Sequence, residues 1–178
     1  NAVGLQAFAQ SPLSQYMVHF KGNLKDAPTG VAPDVRAGRY KKLADLVRQY
    51  VGKKDDKKAH IVEVGTWNGG RAIEMSLAAF ETLDAVHYTG YDLFEEATEE
   101  LDKVELNSKR HNTMDAIRER LMQFADKMKE KGKTFTCELH KGDSKVTLTN
   151  SVANLPPIDF AYIDGGHSET TVVSDYEN

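Results

Sequence analysis

The sequence predicts an α/β fold, a doubly wound parallel sheet in three α/β/α layers, from three observations. Short runs rich in β-branched and aromatic residues recur at HIVEVG (60–65), HYTGYDL (87–93), TFTCELHKG (134–142) and IDFAYIDGG (158–166). Between them lie stretches whose apolar residues return at three- and four-residue steps, and such alternation builds a parallel sheet covered on both faces. Each strand also ends in glycine or an acid, at the sheet edge where this architecture binds ligands.

Taken in chain order, residues 1–35 carry Pro12, Pro28 and Pro33 and read as an extended or partly helical lead-in. The domain proper is expected over 36–178. Arg36–Val51 sets Tyr40, Leu43, Leu46, Val47 and Tyr50 at helical spacing, and KKDDKK (53–58) is a charged turn. After the first strand, Gly69–Leu83 is expected to be a helix with Ile73, Leu77 and Phe80 on one face. The stretch 95–112 is acidic and then polar, a loop with a helical turn. Thr113 is placed to cap a helix that buries Met114, Ile117, Leu121, Phe124 and Met128, and KGK (131–133) closes it. A short helix near 144–154 precedes the last strand.

Composition narrows the function classes. The 178 residues are 40% hydrophobic and 28% charged, the balance of one globular domain. The longest apolar runs are too short to span a bilayer, and no secretory signal pattern opens the chain. A formal net charge of −4 argues against a general nucleic-acid binder. Cys137 is the sole cysteine, which excludes an intrachain disulfide, fits a reducing cytoplasmic setting and reads as a small buried residue.

The strand ends hold the chemistry. After the first come Glu63, Gly65, Gly69 and Gly70. Glycines let a backbone turn sharply and approach a ligand, and the N–H groups of the helix that follows can meet its polar groups. Asp92 ends the second strand, where a carboxylate can accept from both hydroxyls of a ribose. Asp143, in HKGDS, either caps the next helix, as Ser144 also could, or accepts from a purine amino group. The fourth strand ends in Asp164-Gly165-Gly166-His167, an acid, two permissive residues and an imidazole suited to proton transfer near neutral pH.

EVGTWNGG resembles the E/D-x-G-x-x-x-G loop of class I S-adenosylmethionine-dependent methyltransferases, which have a Rossmann-like sheet. Asp92 stands where that family places its ribose ligand, Gly142-Asp143 is similar to its adenine-side G-D, and FAYIDGGHSETTVVSDYEN resembles the strand-four motif of its small-molecule O-methyltransferase branch. The likeness covers about residues 36–178, with four motifs in order. It implies S-adenosylmethionine as cofactor and O-methylation of a small-molecule hydroxyl. The cofactor would be held by Glu63, Gly65, Thr66, Asn68, Gly69, Asp92 and Asp143, with Glu63 near its ammonium. Asp164 or His167 would activate the hydroxyl. In the metal-dependent relatives an Asp at this strand end helps bind a divalent cation such as Mg2+, a role the resemblance assigns to Asp164. The family's sheet has seven strands and this sequence supplies four, so the fold is expected to be truncated after strand 4, that strand to lie open along one edge, and the natural chain to continue beyond Asn178. The segment 95–131, rich in charge, is expected to serve as a lid or a homo-oligomer contact.

Two rivals remain open. A NAD(P)-binding oxidoreductase wants G-x-G-x-x-G and an acid about 20 residues on. Here Trp67 replaces the second glycine and Asp92 lies 27 residues past Gly65. The other rival is a non-catalytic methyltransferase-like partner subunit. A nucleic-acid methyltransferase of the amino-methylating kind would carry N/D-P-P-[FYW] where DGGH stands.

Overall fold

The computed structural model describes residues 17–19, 39–52, 54–107 and 110–178. Five strands form one sheet: β1 (Met17–His19), β2 (Lys58–Val64), β3 (Ala85–Asp92), β4 (Thr134–Lys141) and β5 (Phe160–Ile163). Their spatial order is β1-β5-β2-β3-β4. β5, β2, β3 and β4 are mutually parallel, and β1 runs antiparallel to β5. The chain steps outward from β2 to β4 and then returns to the other side of β2. The reversal lies between β2 and β5, and a crevice opens at their carboxyl ends.

The edge expected to lie open at β5 is paired instead. Met17–His19 aligns with Ile163, Tyr162 and Ala161, so the lead-in supplies a fifth strand. Three residues of extended chain make no periodicity that a sequence reading can detect. The rest of the lead-in, and residues 36–38 of the first expected helix, lie outside the described residues.

One face of the sheet carries α1 (Arg39–Tyr50), α2 (Gly70–Phe80) and α4 (Met114–Glu130). Val47, Met75 and Leu121 from these helices meet Ile61, Tyr88 and Phe160 of the sheet in the larger apolar cluster. On the other face α5 (Ser144–Ser151) lays Leu148 against Val62, Val64 and Tyr91. α3 (Glu99–Val104) and α6 (Glu169–Glu177) flank the carboxyl ends of the strands. Because β2 is covered on both sides, its residues from Ala59 to Val64 are all buried, which explains its unbroken apolar run.

The helix termini follow the expected chemistry. Thr113 accepts from the Ala116 N–H at the start of α4. Gly132, at φ 71°, then turns the chain so that Lys133 N reaches Met128 O. The face of α2 differs from expectation. Leu77 is 44% exposed, while Ala72, Met75 and Ala79 point inward beside Phe80. α2 lies between α1 and the sheet, where small alanines permit closer approach than a row of large side chains.

Candidate functional site

A cleft runs along the carboxyl ends of the four parallel strands. It encloses about 840 Å³ free of atoms, part of it open to solvent. Gly65, Asp92, Asp143, Asp164 and His167 line it together, so five of the nine residues singled out in the sequence converge on one cavity.

Gly65 brings β2 and β5 together. At φ 94° it adopts a conformation that side chains rarely allow, and a Cβ there would lie 2.3 Å from Asp164 O and 2.8 Å from Gly165 N. The Gly65 and Thr66 N–H groups both donate to Tyr91 O, and Asp164 N donates to Val64 O. Three strand ends are thereby laced across the crevice.

Asp92 organises the turn beyond them. Its Oδ2 accepts from Trp67 N at 2.7 Å and its Oδ1 from Phe94 N at 2.8 Å. Both of those residues sit in the left-handed region, at φ 48° and 51°, a conformation that costs about 1–2 kcal/mol for a side-chain-bearing residue. One carboxylate thus holds two strained residues, and each of its oxygens keeps a lone pair for a further donor.

Glu63 lies behind this turn rather than on the cleft. It is fully buried, Tyr88 Oη donates to its Oε2 at 2.6 Å, and its Oε1 has no hydrogen-bond partner among the described residues. Burial pushes its pKa up to about 8; the Tyr88 bond opposes the rise and the charge of Asp164 adds to it. The Thr66 hydroxyl meets the Tyr88 hydroxyl at 3.2 Å, so Thr66 also faces inward. Gly90 makes room for this trio, since a Cβ there would be 2.5 Å from Thr66 Oγ1 and 2.7 Å from Tyr88 Oη. Asn68 Oδ1 accepts from Gly70 N, and Gly69 packs beside Ile117 and Leu121 of α4. Thr66, Asn68 and Gly69 therefore shape the loop from behind.

Asp143 caps α5, its Oδ1 accepting from Lys145 N at 3.0 Å, and it also faces the cleft. Asp164 stands beside Tyr162, whose hydroxyl is pushed up by burial first and then by that carboxylate. The His167 ring lines the cleft with no hydrogen-bond partner among the described residues. No group of three His, Cys, Asp or Glu side chains among the described residues could hold a metal ion. Asp164 thus belongs to no such group, and the expected divalent cation gains no support from the described donor set.

Sequence reasoning singled out none of the residues that join the segment after α3 to the end of β5. Glu105, just past α3, accepts from Ser168 N at 2.9 Å, Ser168 Oγ at 3.0 Å and Thr171 Oγ1 at 2.7 Å. Burial raises its pKa, but these donors and the nearby Lys145 charge outweigh that and hold it low. Gly166 is what admits it, because a Cβ there would come within 2.4 Å of Glu105 Oε2. Trp67 Nε1 donates to Arg110 O at 3.0 Å, tying the same segment to the glycine loop. His111 and Asp102 pair in the cleft wall at 2.8 Å. The one hint in the sequence was the doubled glycine before His167, which marks a close approach without naming its partner.

The lining is acidic: Asp92, Asp102, Glu105, Asp143 and Asp164 face Lys145 and two histidines. Such a cavity favours a cationic ligand over a polyanionic one. Among the described residues no helix is long and apolar enough to cross a membrane. The family model described as a methyltransferase domain matches residues 62–178. No curated protein matches the chain.

Proposed function

The chain belongs to the class I S-adenosylmethionine-dependent methyltransferases, and from that premise we propose that it binds S-adenosylmethionine in the cleft and methylates a hydroxyl of a small molecule. The observation that carries the proposal is the acidic cleft at the reversal of strand order, with Asp92 and Asp143 on it and Gly65 at its base.

The residues present suit the cofactor. Asp92 has a free lone pair on each oxygen for the two ribose hydroxyls, and Asp143 faces the cleft as an acceptor for an exocyclic amine. The bare backbone at Gly65 lets the ligand lie close to the strand tips. Glu63 acts from behind, fixing the loop through Tyr88 and Thr66. When bound, S-adenosylmethionine supplies a methyl group already activated by a sulfonium. The chain then has to orient the acceptor in line and exclude water, which can supply most of the rate. Asp164 and His167 line the cleft as groups able to take the acceptor's proton. A cytoplasmic setting and a lid or self-association role for 95–131 belong to the same proposal.

The oxidoreductase alternative would place a pyrophosphate among these carboxylates, an unfavourable contact. Titration calorimetry of the intact chain with S-adenosylmethionine and with NAD, side by side, tests the assignment. Heat from the first ligand alone is expected; binding of NAD alone would overturn it. Saturable cofactor binding without methyl transfer to any hydroxyl compound would favour the partner-subunit alternative.

A further inference from the structure

We propose that His111, oriented by Asp102, takes the proton from the acceptor hydroxyl; this rests on the methyltransferase reading and places the base on α3 and the loop after it rather than at His167. His111 Nε2 lies 2.8 Å from Asp102 Oδ1, and Asn107 Nδ2 donates to the same oxygen at 2.9 Å. Asn107 Nδ2 also lies 3.1 Å from Nε2. Because a carboxylate oxygen accepts only and would repel a bare Nε2 at 2.8 Å, the Asp102 contact assigns the proton of the neutral ring to Nε2 and the Asn107 amide hydrogen to Asp102, and leaves Nδ1 bare. No protein group among the described residues bonds Nδ1, and the ring lines the cleft.

The pair is held from both ends. Asn107 N donates to Asp102 O at 2.8 Å, and the bond from the Trp67 indole to Arg110 O fixes the residue before His111 against the glycine loop. His167 faces the same cavity with no such orienting partner among the described residues. A base locked in one tautomer by a carboxylate is the arrangement that proton transfer needs. The other titratable groups that line the cavity among the described residues, tyrosine apart, are Asp92, Glu105, Asp143, Lys145, Asp164 and His167. In the step, an oxygen lone pair of the acceptor forms the new C–O bond and the C–S pair returns to sulfur. The hydroxyl proton passes to Nδ1, and Asp102 balances the resulting imidazolium.

The test uses the intact chain, labelled with 15N-histidine and saturated with S-adenosylhomocysteine, with His111 assigned from His111→Gln. Long-range 1H–15N spectra are expected to show the Nε2-protonated tautomer. Asp102→Ala should mix the two tautomers, and Asp102→Asn, which keeps an acceptor oxygen, should restore the first. Diethyl pyrocarbonate should acylate His111 in the free protein, and bound S-adenosylhomocysteine should abolish that reaction. A ring protonated on Nδ1, or one acylated equally with and without the ligand, overturns the inference. Failure of S-adenosylhomocysteine to bind at all would instead strike the methyltransferase reading, while the tautomer of the free protein still decides the role of His111.

Discussion

Tyr88 donates its hydroxyl hydrogen to Glu63 Oε2 at 2.6 Å, with both side chains wholly buried and Gly90 leaving the space for them. A carboxylate so placed is more stable protonated, which is why its pKa reaches about 8 against an ordinary 4.5. The acid of the glycine loop is thus a structural element first. It binds the loop to β3 through Tyr88 and Thr66.

Glu63 makes folding stability depend on pH. The native state retains a proton that the unfolded chain releases, so this contribution is present in full below pH 4.5 and is lost as pH rises toward about 8. The slope it adds approaches roughly 1.4 kcal/mol per pH unit. Glu63→Gln, which mimics the protonated acid, should flatten the difference in denaturation midpoint across that window. Profiles of equal slope for the two proteins would contradict this.

Gly65→Ala should destabilise the fold by about 3 kcal/mol or more, because a left-handed conformation and a 2.3 Å approach to Asp164 O are both imposed on the new methyl group. Urea denaturation measures it. A change below about 1 kcal/mol would mean that the two strand ends separate freely.

Glu105→Ala removes the acceptor for Ser168 N, Ser168 Oγ and Thr171 Oγ1. A cost of about 2–4 kcal/mol is expected, since charge-assisted bonds are lost and buried donors left unmet. Hydrogen exchange should quicken at Ser168 and along residues 99–107, while the strands stay protected. Unchanged exchange at Ser168 would show that the segment after α3 is held by other contacts.

The order of strands and helices was legible because β2 to β5 and α4 announce themselves by local periodicity. The cavity was legible as far as its residues stand at strand ends, which is why Asp92, Asp143, Asp164 and His167 were found. The inward turn of Glu63 and Thr66 was not, since nothing local reveals that Gly90, on the next strand, opens a space for the Tyr88 hydroxyl. Glu105, Asp102 and His111 lie in a polar stretch without period. The partners that give Glu105 its place, Gly166, Ser168 and Thr171, are more than sixty residues away. Leu77 was misassigned because the helix packs between two layers, and spacing alone does not tell which stripe faces which.

The position of S-adenosylhomocysteine in a crystal of the complex tests the central claim most directly. The account predicts its ribose hydroxyls within hydrogen-bond distance of Asp92 and its sulfur on the side of Asp164, His167 and His111. A ligand seated elsewhere on the protein, with Asp92 bonded only to Trp67 N and Phe94 N, would contradict it.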